Sequence, residues 1–296
     1  MPGYEPKQTL RPEPSKQSQE NFPSGSRDTR DRPLPLRRMD SIAALLNYYN
    51  FDTTKNPTAV AVAPIVEVGS NKINLVFDYN KGLVIDPYTK AMAEMNTKFI
   101  SRKVNERWGH IKRYIRGESL QDDVLRKLNI EDKGGDARKF MYARNVRNLH
   151  KLKKTYGRED GVGDEFRKIL RLIVDSDDAL HEASSQAKLP TSGTIHAEAA
   201  VANFLRANQG AYRPITFGGN PVPLGVSKLS CGFCSSYIKG TSLPDGLTID
   251  VRGASGQSFN GWVHPETGDV MREKCRQSES SQFRWKYASS SESDSE

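Results

Sequence analysis

The chain has 296 residues and a formal net charge of +8, from 44 Lys and Arg against 36 Asp and Glu. Apolar residues make up 36% of it, fewer than the roughly 45–50% of an average globular domain in a count that includes Gly. No run approaches the roughly 20 apolar residues of a membrane helix, and three cysteines are too few for a disulfide scaffold. This excludes a membrane protein, a secreted mini-domain and a collagen-like or repeat array, and it predicts an intracellular protein of the cytoplasm or nucleus.

Both ends of the chain are predicted to lie outside any core. Residues 1–38 are rich in Pro, Ser, Gln, Arg and Asp, and they have too little apolar surface to offset the entropy of ordering. We therefore expect a disordered N-terminal arm. Residues 278–296 end in SSSESDSE and predict an acidic, Ser-rich tail. The folded domain is then expected over 39–277.

A helix and a hairpin are predicted to open this domain. Met39–Tyr49 carries apolar residues at helical spacing, with Asp40 as a possible N-cap. Two β-branched apolar runs, over 58–68 and 72–79, are separated by Gly-Ser-Asn and predict a β-hairpin. The first run is almost continuously apolar, which indicates a strand buried on both faces.

A long helical block follows over 88–189, bounded by Pro87 and Pro190. Glycines divide it into about four helices, at Gly117, at Gly134 and Gly135, and within 157–163. Over 85–190 there are 23 basic and 17 acidic residues, so most of the excess positive charge of the chain lies here.

Two segments of this block are strongly basic and contain aromatic residues. The segment 98–116 has seven basic residues and one acid, and 137–158 has eight basic residues and no acid. Basic side chains neutralise phosphates and aromatic rings stack on bases, so the segments predict a partner such as single-stranded nucleic acid. The alternative is two amphipathic helices with solvated outer faces and aromatic residues in the core.

The residues with the strongest chemical signal come after Pro190. In TSGTIHAEAAVANFLRAN, apolar residues at helical spacing predict a helix that starts near His196, capped by Ser192 or Thr194. A β-prone stretch then runs into CGFC, where another helix start is predicted at Cys231 and Cys234. The H-x-E pair and the C-x-x-C pair therefore each open a helix.

This pattern predicts a catalytic zinc site. Cysteines at i and i+3 share a helix face, so Cys231 and Cys234 can bind one tetrahedral zinc together with His196. Three protein ligands leave a fourth position for water, as in catalytic zinc sites. Glu198 projects from the first helical turn, where a carboxylate can take a proton from that water and pass it to a leaving amine.

Each half of the pattern has a simpler interpretation. An isolated H-x-E is common, and an isolated C-x-x-C can be a redox pair or half of a zinc finger. A closed finger would need a fourth ligand, for which Cys275, His264 and His181 are the distant candidates. The combination of the two pairs, each at a helix start with a strand between them, favours the catalytic site.

At these residues the chain resembles the cytidine deaminase-like superfamily, whose zinc signature is H/C-x-E followed by P-C-x-x-C. GVSKLSCGFC and VRGASGQSFNGW also resemble a branch of predicted deaminases that is abundant in fungi. The resemblance covers 190–265 well and 39–80 weakly. It implies a three-layer α/β fold with a mixed central sheet, in which 88–189 is a large helical insertion.

The resemblance also implies a reaction and its residues. Zinc would be held by His196, Cys231 and Cys234, with Glu198 moving protons while an amino group on a nucleobase is replaced by a carbonyl. The base could be free, in a nucleotide or in single-stranded nucleic acid. Asn80 stands where many relatives place an Asn that contacts the sugar, although a turn Asn is an equal alternative.

Two positions depart from the family pattern. Ser230 replaces the Pro before the first Cys, where a backbone carbonyl is retained in either case. Ser255 stands where the fungal pattern tends to have a His, which puts substrate specificity or activity in doubt. Two other functions therefore stay open: an inactive zinc-stabilised interaction module, and a basic nucleic-acid-binding protein.

Overall fold

A computed structural model describes residues 33–47, 59–80, 87–130, 136–158, 165–183, 194–218, 221–251, 262–271 and 287–288. Most of the N-terminal arm and almost all of the acidic tail fall outside these ranges. Within them, no helix combines the length and the apolar character needed to cross a membrane.

The described residues form an α/β protein with seven α-helices. The helices are α1 (Leu34–Leu46), α2 (Pro87–Ile115), α3 (Gln121–Lys127), α4 (Asp136–Tyr156), α5 (Glu165–Asp175), α6 (Ala197–Ala207) and α7 (Gly232–Gly240). The strands are β1 (Val60–Glu67), β2 (Ile73–Tyr79), β3 (His181–Glu182), β4 (Tyr212–Pro214), β5 (Pro221–Val226), β6 (Thr248–Val251), β7 (Trp262–Val263), β8 (Val270–Met271) and β9 (Tyr287–Ala288). In the described parts of 87–183 four helices, α2 to α5, are present, which agrees with the number predicted from the glycine breaks.

The main sheet is mixed, as the sequence predicts. Its strand order is β3-β2-β1-β5-β6. Strand β5 pairs with the start of β1, and β4 pairs with the end of β1 on the same side. Strand β1 is antiparallel to β2, β4 and β5, whereas β2 with β3 and β5 with β6 are parallel pairs. The predicted hairpin is confirmed, with a register from Val60 opposite Tyr79 to Val66 opposite Ile73. Strands β7, β8 and β9 form a small antiparallel sheet.

Helices cover both faces of the main sheet, which gives three layers. On β1, Val60 and Val62 pack into one core with helices α1, α2, α4 and α5. The alternate residues Ala61, Ala63 and Ile65 pack into a second core with α6 and α7. The near-continuous apolar run of β1 is therefore buried on both faces, because each face supports its own helical layer.

Helix α1 begins earlier than predicted. It starts at Leu34 rather than Met39, so residues 34–38 are helical and do not belong to a disordered arm. A proline in the first turn fixes φ at a helical value, and the side chain of Leu36 is buried in the core. Asp40 is not the N-cap either, because it lies inside the helix. Its carboxylate instead accepts a hydrogen bond from the backbone N–H of Val226, 2.9 Å away.

Candidate metal centre

One edge of the main sheet brings the start of β1 together with the ends of β2 and β5. Ser227, directly after β5, fixes this edge: its hydroxyl accepts hydrogen bonds from the N–H of Val60 at 2.9 Å and from Asn47 Nδ2 at 2.7 Å. Helices α6 and α7 both begin at the same edge. Their first turns therefore lie over the carboxyl ends of β2 and β5.

The start of α6 is held by Asn80. His196 is the N-cap residue, and the side-chain oxygen of Asn80 accepts a hydrogen bond from the N–H of Ala197 at 2.9 Å. Of the two predicted caps, Thr194 lies two residues before the N-cap and pairs with Trp262 in a β-bridge, whereas Ser192 is outside the described residues. A side chain from the end of β2 thus satisfies a backbone donor that a local cap usually satisfies.

The start of α7 is capped by its own cysteine. Cys231 is the N-cap residue, and its sulfur accepts a hydrogen bond from the N–H of Cys234 at 3.4 Å. Both cysteines are buried and have no disulfide partner. The unpaired N–H groups and the dipole of a helix N-terminus favour the thiolate form of a cysteine placed there.

His196, Cys231 and Cys234 converge into one buried cluster, as the sequence predicts. Their ligand atoms all lie within 4.8 Å of one another. His196 Nδ1 is 3.5 Å from Cys231 Sγ and 3.4 Å from Cys234 Sγ. Zinc bonds of about 2.0 Å to nitrogen and 2.3 Å to sulfur, at a tetrahedral angle, would separate the two donors by about 3.5 Å. The donor set therefore fits zinc in both chemistry and spacing.

Trp262 supports this cluster, a role that the sequence pattern does not predict for its side chain. Its indole Nε1–H donates to Cys234 Sγ at 3.1 Å, and the ring is 2% exposed. Phe233 stacks on it with ring centroids 5.7 Å apart. The Ser230 hydroxyl, next to Cys231 in the chain, is also buried and has no hydrogen-bond partner among the described residues, which leaves a polar atom available to a group bound there.

Glu198 is buried in the first turn of α6, with 6% of its surface exposed. Burial raises the pKa of its carboxyl group, and the charge of His196 opposes this only in part. The hydrogen bonds from Cys234 and His196 lower the pKa of Cys231 well below its usual value, whereas burial raises the pKa of Cys234. Burial alone would lower the pKa of His196, but the hydrogen-bonded Cys231 raises it.

The two histidines among the other ligand candidates are not at the centre. His181 lies in β3 against the rings of Phe204 and Tyr212. The Nδ1 of His264 accepts backbone hydrogen bonds from the turn that follows it. Cys275 and Ser255 lie outside the described residues, so the structure does not place them. Within the described ranges, the metal-ligating cluster thus has three protein ligands.

A cleft of about 670 Å³ lies beyond the supporting aromatic residues, on the side of α7. Phe233 and Trp262 form one wall of it. At its rim Glu266 binds Arg206 at 2.6 Å and accepts a hydrogen bond from the Tyr237 hydroxyl at 2.8 Å. Because the cleft and the cluster share these two aromatic side chains, a change in either wall residue affects both.

The aromatic residues of the basic segment 98–116 belong to the core. Trp108 and Tyr114 are buried, in agreement with the amphipathic-helix interpretation of this segment. Lys112 is buried as well, and its ammonium group donates to the carbonyl oxygens of Ser176 and Asp178 at 2.5 and 3.3 Å. Lys112 therefore ties α2 to the residues that follow α5.

The comparison with protein families matches residues 195–266 to a family described as OTT_1508-like deaminase. The match covers about a quarter of the chain and includes all three cluster ligands and Glu198. No curated protein and no solved structure matches the chain. The family match and the His-Cys-Cys cluster fit a zinc-dependent deaminase, while membership of the fungal branch stays a prediction.

Proposed function

We propose that the chain is a zinc-dependent hydrolytic deaminase that acts on a nucleobase. The observation that carries the proposal is the buried cluster of His196, Cys231 and Cys234, with Glu198 in the same helical turn as the histidine. These four residues fall within the segment that resembles a deaminase family. Three protein donors leave a fourth position, which distinguishes a catalytic zinc site from a closed structural one.

The roles of the residues follow from their positions. His196, Cys231 and Cys234 would hold the metal, and Trp262 orients Cys234 and stabilises its negative charge. When bound, zinc lowers the pKa of a water molecule and so supplies hydroxide at neutral pH. Glu198 accepts the proton of that water and delivers it to the departing amine, which is the task of a general acid–base residue.

The overall reaction is balanced by one water molecule. The water oxygen adds to the amine-bearing ring carbon, the C–N bond breaks, ammonia leaves and a carbonyl forms. Asn80 and Ser230 lie beside the cluster ligands, so we propose that they contact the substrate. The hydroxyl of Ser230, buried without a partner among the described residues, is suited to donate to a polar atom of the base.

The test compares metal content and ammonia release in three purified proteins. The wild type is expected to hold about one zinc per chain and to release ammonia from a cytosine- or adenine-containing substrate. Glu198→Gln should keep the zinc but lose turnover by about 10²- to 10⁴-fold. Cys231→Ala should lose both the zinc and the activity.

Glu165→Gln is the matched control, because Glu165 is an exposed carboxylate at the start of α5. It should retain both zinc and activity. A folded wild type without zinc would contradict the proposal. A zinc-loaded wild type that releases no ammonia from free bases, nucleotides or single strands would instead favour an inactive, zinc-stabilised interaction module.

A further inference from the structure

One face of α4 carries a row of cations that the proposed reaction does not use. The spacing alternates between three and four residues, so these side chains follow one face of the helix. On the helix the row consists of Arg144, Arg147, Lys151 and Lys154, and Arg158 follows two residues after α4 ends at Tyr156. An α-helix rises about 15 Å from Arg144 to Lys154.

Helix α1 adds two more cations to this row. It runs beside α4, with Arg38 Nε donating to Thr155 Oγ1 at 2.7 Å and the Ser41 hydroxyl donating to Asn148 Oδ1 at 3.3 Å. This contact places Arg37 and Arg38 against the carboxyl-terminal half of α4. We call the combined set the basic stripe: Arg37, Arg38, Arg144, Arg147, Lys151, Lys154 and Arg158.

The cations of the stripe act on one another. Burial, together with the charges of Arg37 and Arg158, lowers the pKa of Arg38 to about 10. Burial also lowers the pKa of Lys151, and the charges of Arg38 and Arg147 lower it further. Charges this close disfavour one another unless an anion lies between them.

Acidic partners for these cations are lacking within the described residues. No described carboxylate lies within ion-pair distance of five stripe members: Arg37, Arg147, Lys151, Lys154 and Arg158. The Nε of Arg37 is buried and has no hydrogen-bond partner among the described residues. By contrast, Lys103 on α2 pairs with Glu106 at 2.6 Å and Arg116 pairs with Glu118 at 2.8 Å. In the part of the chain that the structure describes, no carboxylate therefore neutralises these five cations.

The stripe begins at the edge of the sheet that carries the metal centre. Arg144 Nη2 donates to the carbonyl oxygen of Ser227 at 3.5 Å, and Ser227 is three residues before Ser230. One helical turn before Arg144, the ring of Phe140 is 61% exposed. An exposed aromatic side chain beside a row of cations is the arrangement on which single-stranded nucleic acids stack.

We propose that the basic stripe binds the sugar–phosphate backbone of a single-stranded nucleic acid and that Phe140 stacks on one of its bases. The inference rests on the proposed function, because it assigns the substrate of that reaction to a polymer. A row of about 15 Å can contact more than one phosphate of a strand, whereas a mononucleotide engages one end of it. The strand is single because stacking in a duplex hides the ring carbon that is attacked.

The test removes three exposed cations of the stripe in the full chain: Arg147→Gln, Lys151→Gln and Lys154→Gln together. The matched control removes the same charge elsewhere: Arg102→Gln, Lys103→Gln and Arg126→Gln together. Binding of labelled oligothymidine and oligouridine of about 20 nucleotides is followed by fluorescence anisotropy between about 50 and 200 mM salt. The stripe variant should bind about tenfold more weakly at low salt, and its log–log salt slope should fall by about two.

Three results would overturn the inference: equal losses in the stripe and control variants, unchanged binding in the stripe variant, and equally effective competition by polyglutamate. The last of these would indicate an acidic protein partner instead.

Cys231→Ala separates this inference from the proposed function, because it should lose zinc and keep strand binding. Strand binding through the stripe without ammonia release would refute the proposed function alone. If the wild type and the stripe variant release ammonia equally from a free nucleoside and equally from a strand, the inference about the basic stripe is refuted and the proposed function is not.

Discussion

Replacement of Trp262 by Phe tests whether the cluster is a zinc site supported by its surroundings. The indole Nε1–H donates to Cys234 Sγ at 3.1 Å from a fully buried position. Phenylalanine keeps an aromatic ring in the stack with Phe233 but removes this donor. Bound zinc requires Cys234 as a thiolate, so the variant leaves a buried negative charge with one donor fewer.

The expected loss is large enough to measure. A hydrogen bond to a charged group contributes about 1.5–3 kcal/mol, which corresponds to about a 10- to 100-fold change in affinity. This matches the roughly 10- to 100-fold effect of removing a group that supports a metal ligand. The smaller ring also costs about 1–3 kcal/mol of folding free energy, because it leaves space in the core.

Trp108→Phe serves as the control, because Trp108 is equally buried but packs in the core on the opposite face of the sheet. Zinc affinity is measured by competition with a chromogenic chelator, and stability by urea unfolding of the zinc-loaded proteins. Both variants should unfold at a lower urea concentration than the wild type, and only Trp262→Phe should bind zinc more weakly than the wild type. The reasoning is refuted if the two variants bind zinc equally well, or if Trp262→Phe binds it as tightly as wild type.

Two further predictions concern the fold. Gly225→Ala should destabilise the protein by about 3 kcal/mol, because the added Cβ would collide with the backbone of Met39 in α1. Gly240→Ala, where the added Cβ meets open space, should instead stabilise the protein by about 0.5–1 kcal/mol. Burial lowers the pKa of His181 in the folded protein. As the pH falls below about 6.5, this histidine therefore takes up a proton more readily in the unfolded chain, and the free energy of unfolding decreases. His181→Phe should make that decrease smaller.

Urea unfolding measures both predictions, at neutral pH for the glycines and between about pH 7.5 and 5.5 for His181. Equal stability of Gly225→Ala and Gly240→Ala would contradict the close approach of α1 and β5. For His181, the other histidines are the same in both proteins, so the difference between their pH profiles isolates one imidazole. Identical profiles would show that His181 does not titrate differently in the folded and unfolded states.

The sequence predicted those parts of the fold that have a local cause. Alternating β-branched residues and the Gly-Ser-Asn turn specify the β1–β2 hairpin, and Gly117 and Gly157 follow the ends of α2 and α4 within two residues. The C-x-x-C spacing places two thiols on one helical turn whatever surrounds it. These signals act within about ten residues of the chain, so they can be recognised without the tertiary structure.

The parts that were missed depend on contacts between distant segments. Asn80 caps a helix 117 residues away, and Trp262 supports a cysteine 28 residues before it. The early start of α1 goes with packing of Leu34 against a core that later helices help to form. The same holds for the basic stripe, since Arg38 meets Thr155 across 117 residues of sequence. Composition showed that the 137–158 segment is basic, but only the fold adds the cations of α1.

The metal centre and the fold are coupled through the two helix starts. His196 and Cys231 are both N-cap residues, so the backbone of α6 and α7, rather than flexible side chains, sets the distance between two of the ligands. Asn80 holds the start of α6 at the end of β2, and Ser227 ties the end of β5, which leads into α7, to the start of β1. Binding of a metal to ligands placed in this way would add its free energy to that of folding. The packing of both helices and the spacing of the donor atoms therefore depend on the same residues, because His196 and Cys231 are helix N-caps and candidate metal ligands at once.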